Sequence, residues 1–470
     1  MTRAAVALPL VALAGCDAVF GLDRDRAPDA MGAPVVVSGR ITQKYLHGDP
    51  GLVLVAETVP LAQSEAPTAV VGGKPAELGW SASEGIFTFT ANEGEPYRLL
   101  YANTEYQLTA PTLMIDRVIP GRPDAIAPQP GTVLRMTPTS PLPAGANVFV
   151  MSTGIFSVTK PNTVSPSELS LAWDSAAFRG TPSLLDAAKH DAAYLVTFAD
   201  DAAGYEVMTS YVRLSVTLAQ GQTTTVSGPV SPVLRDRCVT VDPAPVESEL
   251  ERVHAAFPAL RNGEASWTLF QAARPELGVP VAYTVASDRA LLGAADVQYG
   301  VPFPSFGPVM TYTAQAWSSG GALDPTAYVT YLQQLDTSGP CRVQPPPTGV
   351  AIPTGPRLAG VAIAEDVTIG VPASEDAVLT WKETPGSLPS TSYRVSVFEI
   401  DGAAATLKRD IRTAAPRAVI ASELLHDGGR YRLEIVAGNG LPGFAAGEVT
   451  RQHSSYGAGI LRTGVFEVSR

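Results

Sequence analysis

The sequence predicts an all-β protein built as a tandem of β-sandwich domains with one or two short helices. Three observations predict it. Runs of β-branched and aromatic residues alternate with polar ones, as in Ile86-Phe87-Thr88-Phe89-Thr90, so each run offers one face to a core. Turn formers are dense, with 42 glycines and 41 prolines in 470 residues; that exceeds the usual share of about 12% but not the about 25–30% that marks disorder. Hydrophobic residues make up 45% of the chain and charged ones 17%, enough to bury cores. At this length the chain holds about three or four of them.

The elements follow in order. Arg3 precedes the uncharged apolar stretch Ala4–Ala12, and Leu13-Ala14-Gly15-Cys16 comes next. A positive start, an apolar stretch and small residues before a cut are the layout of a secretory signal. So short a stretch cannot cross a hydrocarbon layer that needs about 20 residues. Leu13–Cys16 resembles the lipobox of bacterial lipoproteins, which implies cleavage before Cys16 and two or three acyl chains on that residue. Lasting attachment takes at least two chains, at about 0.8 kcal/mol per buried methylene. Residues 1–15 then form a signal peptide and 16–33 a lipidated tether. Asp23, Asp25 and Asp29 in the tether invite a calcium-loop reading, but Pro28 and Pro34 stand where such a loop needs Gly and Glu.

Within 34–127, Val35–Arg40, Leu52–Ala56, Ile86–Thr90 and Tyr97–Tyr101 read as strands of a first sandwich. Their order resembles transthyretin-like carboxypeptidase-regulatory modules, which implies a non-catalytic spacer or support. Residues 128–242 repeat the style, with strands such as Glu168–Trp173, Ala193–Phe198 and Tyr211–Leu218. Between them, Thr181 as cap and Pro182 at the first helical position predict a short helix continuing to Lys189. The β-rich segment 243–345 opens with a helix, since Leu250, Val253 and Phe257 are spaced i, i+3, i+7 and Pro258 ends it. Strands at Trp267–Gln271, Val279–Ala286, Val309–Ala316 and Ala327–Leu332 follow, and Pro345-Pro346-Pro347 stiffens the boundary.

In the last segment, 346–470, Leu425, Gly428, Tyr431, Ile435, Ala437 and Asn439 carry a spaced pattern. It resembles the E–F corner and F strand of fibronectin type III domains. Leu379-Thr380-Trp381 is similar to that family's B strand, Tyr393–Ile400 to its C strand, and Gly464–Val468 supplies a closing strand. The resemblance implies an immunoglobulin/fibronectin III-like sandwich with Trp381 between the sheets and the Tyr431 hydroxyl on nearby backbone. Those are core roles, and the fold alone decides no function.

Chemistry is sparse. The sequence holds no G-x-S-x-G, H-E-x-x-H, C-x-x-C or G-x-x-x-x-G-K-[ST] pattern. His47, His190, His254, His426 and His453 fall in different segments, and Asp200-Asp201 reads as a solvated turn. No catalytic residue, cofactor or metal is therefore expected. The net charge is −12, and the basic residues, only six of them lysine, are scattered, which sets nucleic acid aside as a partner. With Cys16 assigned to lipid, Cys238 and Cys341 remain. In an exported chain they are disulfide candidates, with two buried free thiols as the other reading. Phe303 and Phe306, in a proline-rich loop that cannot join a sheet, are ligand-contact candidates, with burial as loop anchors the competing reading.

The expected protein is a membrane-anchored lipoprotein of the bacterial envelope, on the periplasmic face or the cell surface. Its modules would serve binding, adhesion or spacing toward a protein or glycan partner. The alternatives are an accessory carbohydrate-binding lipoprotein and a hydrolase with a dispersed site in the middle segments.

Overall fold

The computed structural model describes residues 32–470 apart from 50, 143–145, 153–156, 160–162, 166, 174–182, 202–203, 243, 273–278, 288–293, 301, 304–306, 320, 336–340, 343–347, 373, 387 and 450–454. Period-two alternation builds nearly all of it. Ile86–Asn92 buries Phe87, Phe89 and Ala91 and turns Thr88, Thr90 and Asn92 toward the other face. In the first sandwich one edge of Pro34–Asp49 pairs with Ile86–Asn92 through Pro34–Arg40 and with Val53–Thr58 through Lys44–Asp49, and its other edge pairs in parallel with Thr112–Pro120. Its second sheet joins Thr68–Val71, Tyr97–Tyr101 and Thr104–Leu108. Between the sheets lie Val37, Phe87, Phe89, Leu99 and Leu113.

The second sandwich faces Val133–Pro138, Glu168–Ala172 and Thr223–Gly228 against Asn147–Ser152, Ala192–Asp200 and Glu206–Ser215, around Leu134, Leu171, Trp173 and Leu195. The expected helix there contracts to a single 3-10 turn at Ala187–Lys189. Asp186 caps it by accepting from the Ala188 N–H, and His190 stops it with a positive φ of 64°. Thr181 and Pro182 lie outside the described residues.

The third segment sets Asn262–Ala272 between Val279–Ser287 and Gly307–Trp317, with Thr326–Gln334 beyond, all antiparallel, and lays the helix Ala244–Ala256 against them. The expected Leu250, Val253 and Phe257 face the core, Val253 fully buried and the other two partly, and Val246 and Glu249 join them in the helix's buried stripe. Glu249 goes inward because it is fully partnered: Tyr331 Oη donates to its Oε2 at 2.8 Å and the Gly349 N–H to its Oε1 at 3.0 Å. No helix among the described residues is long and apolar enough to cross a membrane.

The last sandwich packs Pro353–Leu358, Ala377–Glu383 and Arg417–Ile420 on Ala404–Thr413, Ser392–Asp401, Arg430–Gly438 and Phe466–Ser469. Leu379, Val395, Ile411 and Leu433 fill the space between. Trp381 is buried there and meets Tyr393 edge-on at 5.5 Å between ring centroids.

These units share a sheet. Glu206–Val207 pair with Ala282–Tyr283, Thr326–Leu332 with Tyr456–Arg462, and Asp410–Thr413 run parallel to Thr104–Gln107. One 19-stranded sheet results, linking the second sandwich to the third segment, the third to the last, and the last to the first. The hydrophobic clusters follow suit: Tyr194 and Val207 share a core with Trp267 and Tyr312, and Phe444 packs into the first sandwich.

Candidate functional site

A cleft of about 730 Å³ opens where the first sandwich, the third segment and the last sandwich meet. Its floor is the shared sheet. Successive register pairings align Tyr106, Arg412, Arg394, Val436, Ile460 and Tyr328 in one row across six strands. Residues paired this way point to one side of a sheet. The same alternation that sends Val395 and Ile411 into the last sandwich's core therefore sends Arg394 and Arg412 to the cleft. An adjoining row carries Asp410, Ser396, Glu434 and Arg462. The walls come from Tyr101 and Ile115–Val118 of the first sandwich and from Leu441 and Phe444 of a loop in the last.

Glu434, nearly buried, accepts from Arg394 Nη2 and from Arg462 Nε, each at 2.7 Å. Ser396 donates to Asp410. Among the described residues Arg412 donates only to the Val449 carbonyl, at 3.4 Å, and its buried Nε finds no partner. Arg117 is exposed, and among the described residues it forms no ion pair. Its guanidinium draws on the Tyr101 phenol electrostatically, but the geometry falls short of a hydrogen bond, and the buried Tyr101 Oη has no partner. Such an atom costs about 1–3 kcal/mol. Burial raises the Tyr101, Tyr106 and Tyr328 phenols above their ordinary range, so all three stay protonated at neutral pH. The cleft thus offers neutral hydroxyls, aromatic rings and guanidinium groups. That set suits reversible binding of a polar ligand.

The residues singled out from sequence lie elsewhere. Cys16 and Phe306 fall outside the described residues. Cys238 and Cys341 are joined by a disulfide with Cα atoms 4.8 Å apart. It ties the strand Arg237–Val241 to the segment before the proline-rich boundary. Phe303 is 0% exposed and packs edge-on against Tyr194 at 4.9 Å, which corrects the ligand-contact reading: its ring anchors the loop and offers no surface.

His254 bonds the Leu260 carbonyl at 2.8 Å, and His47 faces Glu57. Asp201 closes a turn by accepting from the Tyr205 N–H. Among the described residues the one metal-capable cluster is Cys238, Asp296 and Cys341, and its two sulfurs are bonded to each other. The cleft residues were missed. Asp410-Ile411-Arg412 alternates visibly, but nothing local announces that the strand pairs with residues 104–107.

Compared with known proteins, the chain matches no protein-family model and no curated protein sequence.

Proposed function

We propose that this chain is a lipid-anchored lipoprotein of the bacterial envelope whose β-sandwich modules bind a partner at a fixed distance from the membrane, without catalysis. The observation that carries the binding role is the cleft of about 730 Å³ floored by a sheet common to several modules. A site on paired strands is held more rigidly than one on loops. Leu13–Cys16 supports the anchor, and the spaced pattern from Leu425 to Asn439 supports a fibronectin type III-like last module. Palmitate labelling of wild type beside Cys16→Ala, with surface protease accessibility in parallel, tests the anchor. Label on wild type alone is expected; an unlabelled wild-type chain starting at Met1 overturns it. Pull-down from envelope fractions tests the binding role, and a chain that retains no protein or glycan overturns that.

A second reading, an accessory carbohydrate-binding lipoprotein, is favoured by the half-buried rings of Tyr328 and Tyr456 lining the cleft. Aromatic faces pack against the C–H faces of sugar rings while hydroxyls and amides take the sugar oxygens.

A further inference from the structure

We infer that the cleft binds an anionic saccharide, held by charge through Arg117 and Arg412. The inference deepens the binding reading above and rests on it.

The charge distribution is its first support. In a chain of net charge −12, the described residues lining this cavity include Arg117, Arg394 and Arg412 beside the carboxylate of Asp116, with Asp410 and Glu434 in the adjoining row of the floor. Asp116 already accepts from the Thr42 hydroxyl. Arg394 pairs with Glu434, a carboxylate it shares with Arg462, whereas among the described residues no acidic group pairs with Arg117 or Arg412.

The register is the second. Arg394 and Arg412 are direct cross-strand partners, and like charges in that position destabilise a sheet. Glu434 compensates one of the two. Arg412 keeps its charge on the cleft floor, where an anion would offset it. Arg412 and Arg117 both pull down the Tyr106 phenol against burial, with Asp410 opposing them, so both arginines lie at the same end of the cleft; Asp410 accepts from Ser396. A planar guanidinium matches a carboxylate or sulfate with two parallel hydrogen bonds.

The third concerns the body of the ligand. The cavity volume falls within the about 300–1,000 Å³ of sites for organic ligands, far more than an inorganic anion fills. Tyr328 and Tyr456 supply ring faces, and Asn103, Thr330 and Ser392 supply neutral hydrogen-bonding groups. An acidic peptide would also pair with arginine, and adding a strand to an open sheet edge would give it a backbone grip as well. Each of the six floor strands is paired on both sides, so that mode is closed here.

Calorimetric titration of the full chain tests the inference, with four probes: a uronic-acid oligosaccharide, its carboxyl-reduced neutral counterpart, a sulfated oligosaccharide and a polyglutamate peptide. Binding of the uronate or the sulfated sugar is expected, and which of the two is tighter identifies the anionic group. The neutral counterpart should bind at least tenfold more weakly. Arg117→Gln and Arg412→Gln should each weaken the anionic sugar at least tenfold, with affinity falling as salt rises. Arg117 is exposed, so its variant stays informative even where Arg412→Gln folds poorly. Equal affinity for the neutral sugar, indifference to Arg117→Gln, or preference for polyglutamate would overturn the inference. Failure of all four probes beside a positive envelope pull-down overturns this ligand class and leaves the binding role standing; failure of both removes the role as well.

Discussion

Arg213 donates its Nε to Asp49 Oδ2 at 2.6 Å, across 164 residues of chain, and so latches the second sandwich to the first. Asp49 is 1% exposed and also accepts from the Tyr194 hydroxyl and, at 2.9 Å, from the Gly51 N–H. A buried carboxylate is tolerable only when its lone pairs are taken in this way. Asp49→Ala should therefore cost about 1–3 kcal/mol by leaving the buried Tyr194 O–H without an acceptor, while the Gly51 N–H keeps Tyr194 Oη at 3.1 Å. Arg213 is partly exposed, so solvent screens it once the carboxylate is gone. The check is the urea midpoint, together with faster limited proteolysis at the junction of the two sandwiches. An unchanged midpoint would mean the latch contributes nothing.

The Cys238–Cys341 bond closes a segment of sequence separation 103. In the chain-entropy account, a loop of about 100 residues loses about 4.7 kcal/mol of unfolded-state freedom, and measured values run at about 2–4 kcal/mol. Cys238→Ser with Cys341→Ser should lower stability by an amount in that range. Unreduced peptide mapping should recover the two cysteines in one linked fragment. Reductant should shift the wild-type transition toward that of the double variant and leave the variant's own transition in place.

What the sequence made legible was local. Trp381 and Tyr431 sit in patterns a few residues long, and their burial follows from period-two alternation within one strand. The disulfide candidates were legible too, because few cysteines were left to pair. The cleft was not legible, since Arg412 reaches it only through the pairing of Asp410–Thr413 with Thr104–Gln107, more than 300 residues apart and parallel. Such a register leaves no trace in either segment alone. Phe303 and Glu249 show the opposite difficulty. A ring in a proline-rich loop looks exposed, and a carboxylate in a helix looks solvated. Each is buried because distant partners, Tyr194 for one and Tyr331 for the other, complete its surroundings.

At the start of the strand Arg430–Gly438, Tyr431 turns its hydroxyl back on the chain. The His426 N–H donates to it at 2.9 Å, and the hydroxyl lies 2.7 Å from His426 Nδ1. The ring is fully buried, so Tyr431→Phe keeps the packing and removes only these bonds. It should cost about 1–2 kcal/mol. The urea midpoint should fall with the slope unchanged, since the same surface is exposed on unfolding. A changed slope would point to wider loss of packing and count against a purely local role.

Glu105 gives the joint between the first and last sandwiches a pH dependence of definite sign. It is 4% exposed, with Arg409 Nη1 at 3.3 Å and Arg98 Nη1 at 3.9 Å. Burial nevertheless dominates and holds its pKa above the ordinary 4.5; Gln107 and the two arginines only partly oppose that. An acid whose folded pKa is raised binds more protons folded than unfolded. Its contribution to stability is therefore fully present below about pH 4.5 and is lost as pH rises through the raised folded value. Glu105→Gln mimics the protonated side chain and should remove that segment of the profile. Urea midpoints of the two proteins measured from pH 4 to pH 8 should converge at the acid end. Toward neutral pH the wild type should lose ground relative to Glu105→Gln. A wild type that instead gains on the variant as pH rises would mean that the two arginines outweigh burial.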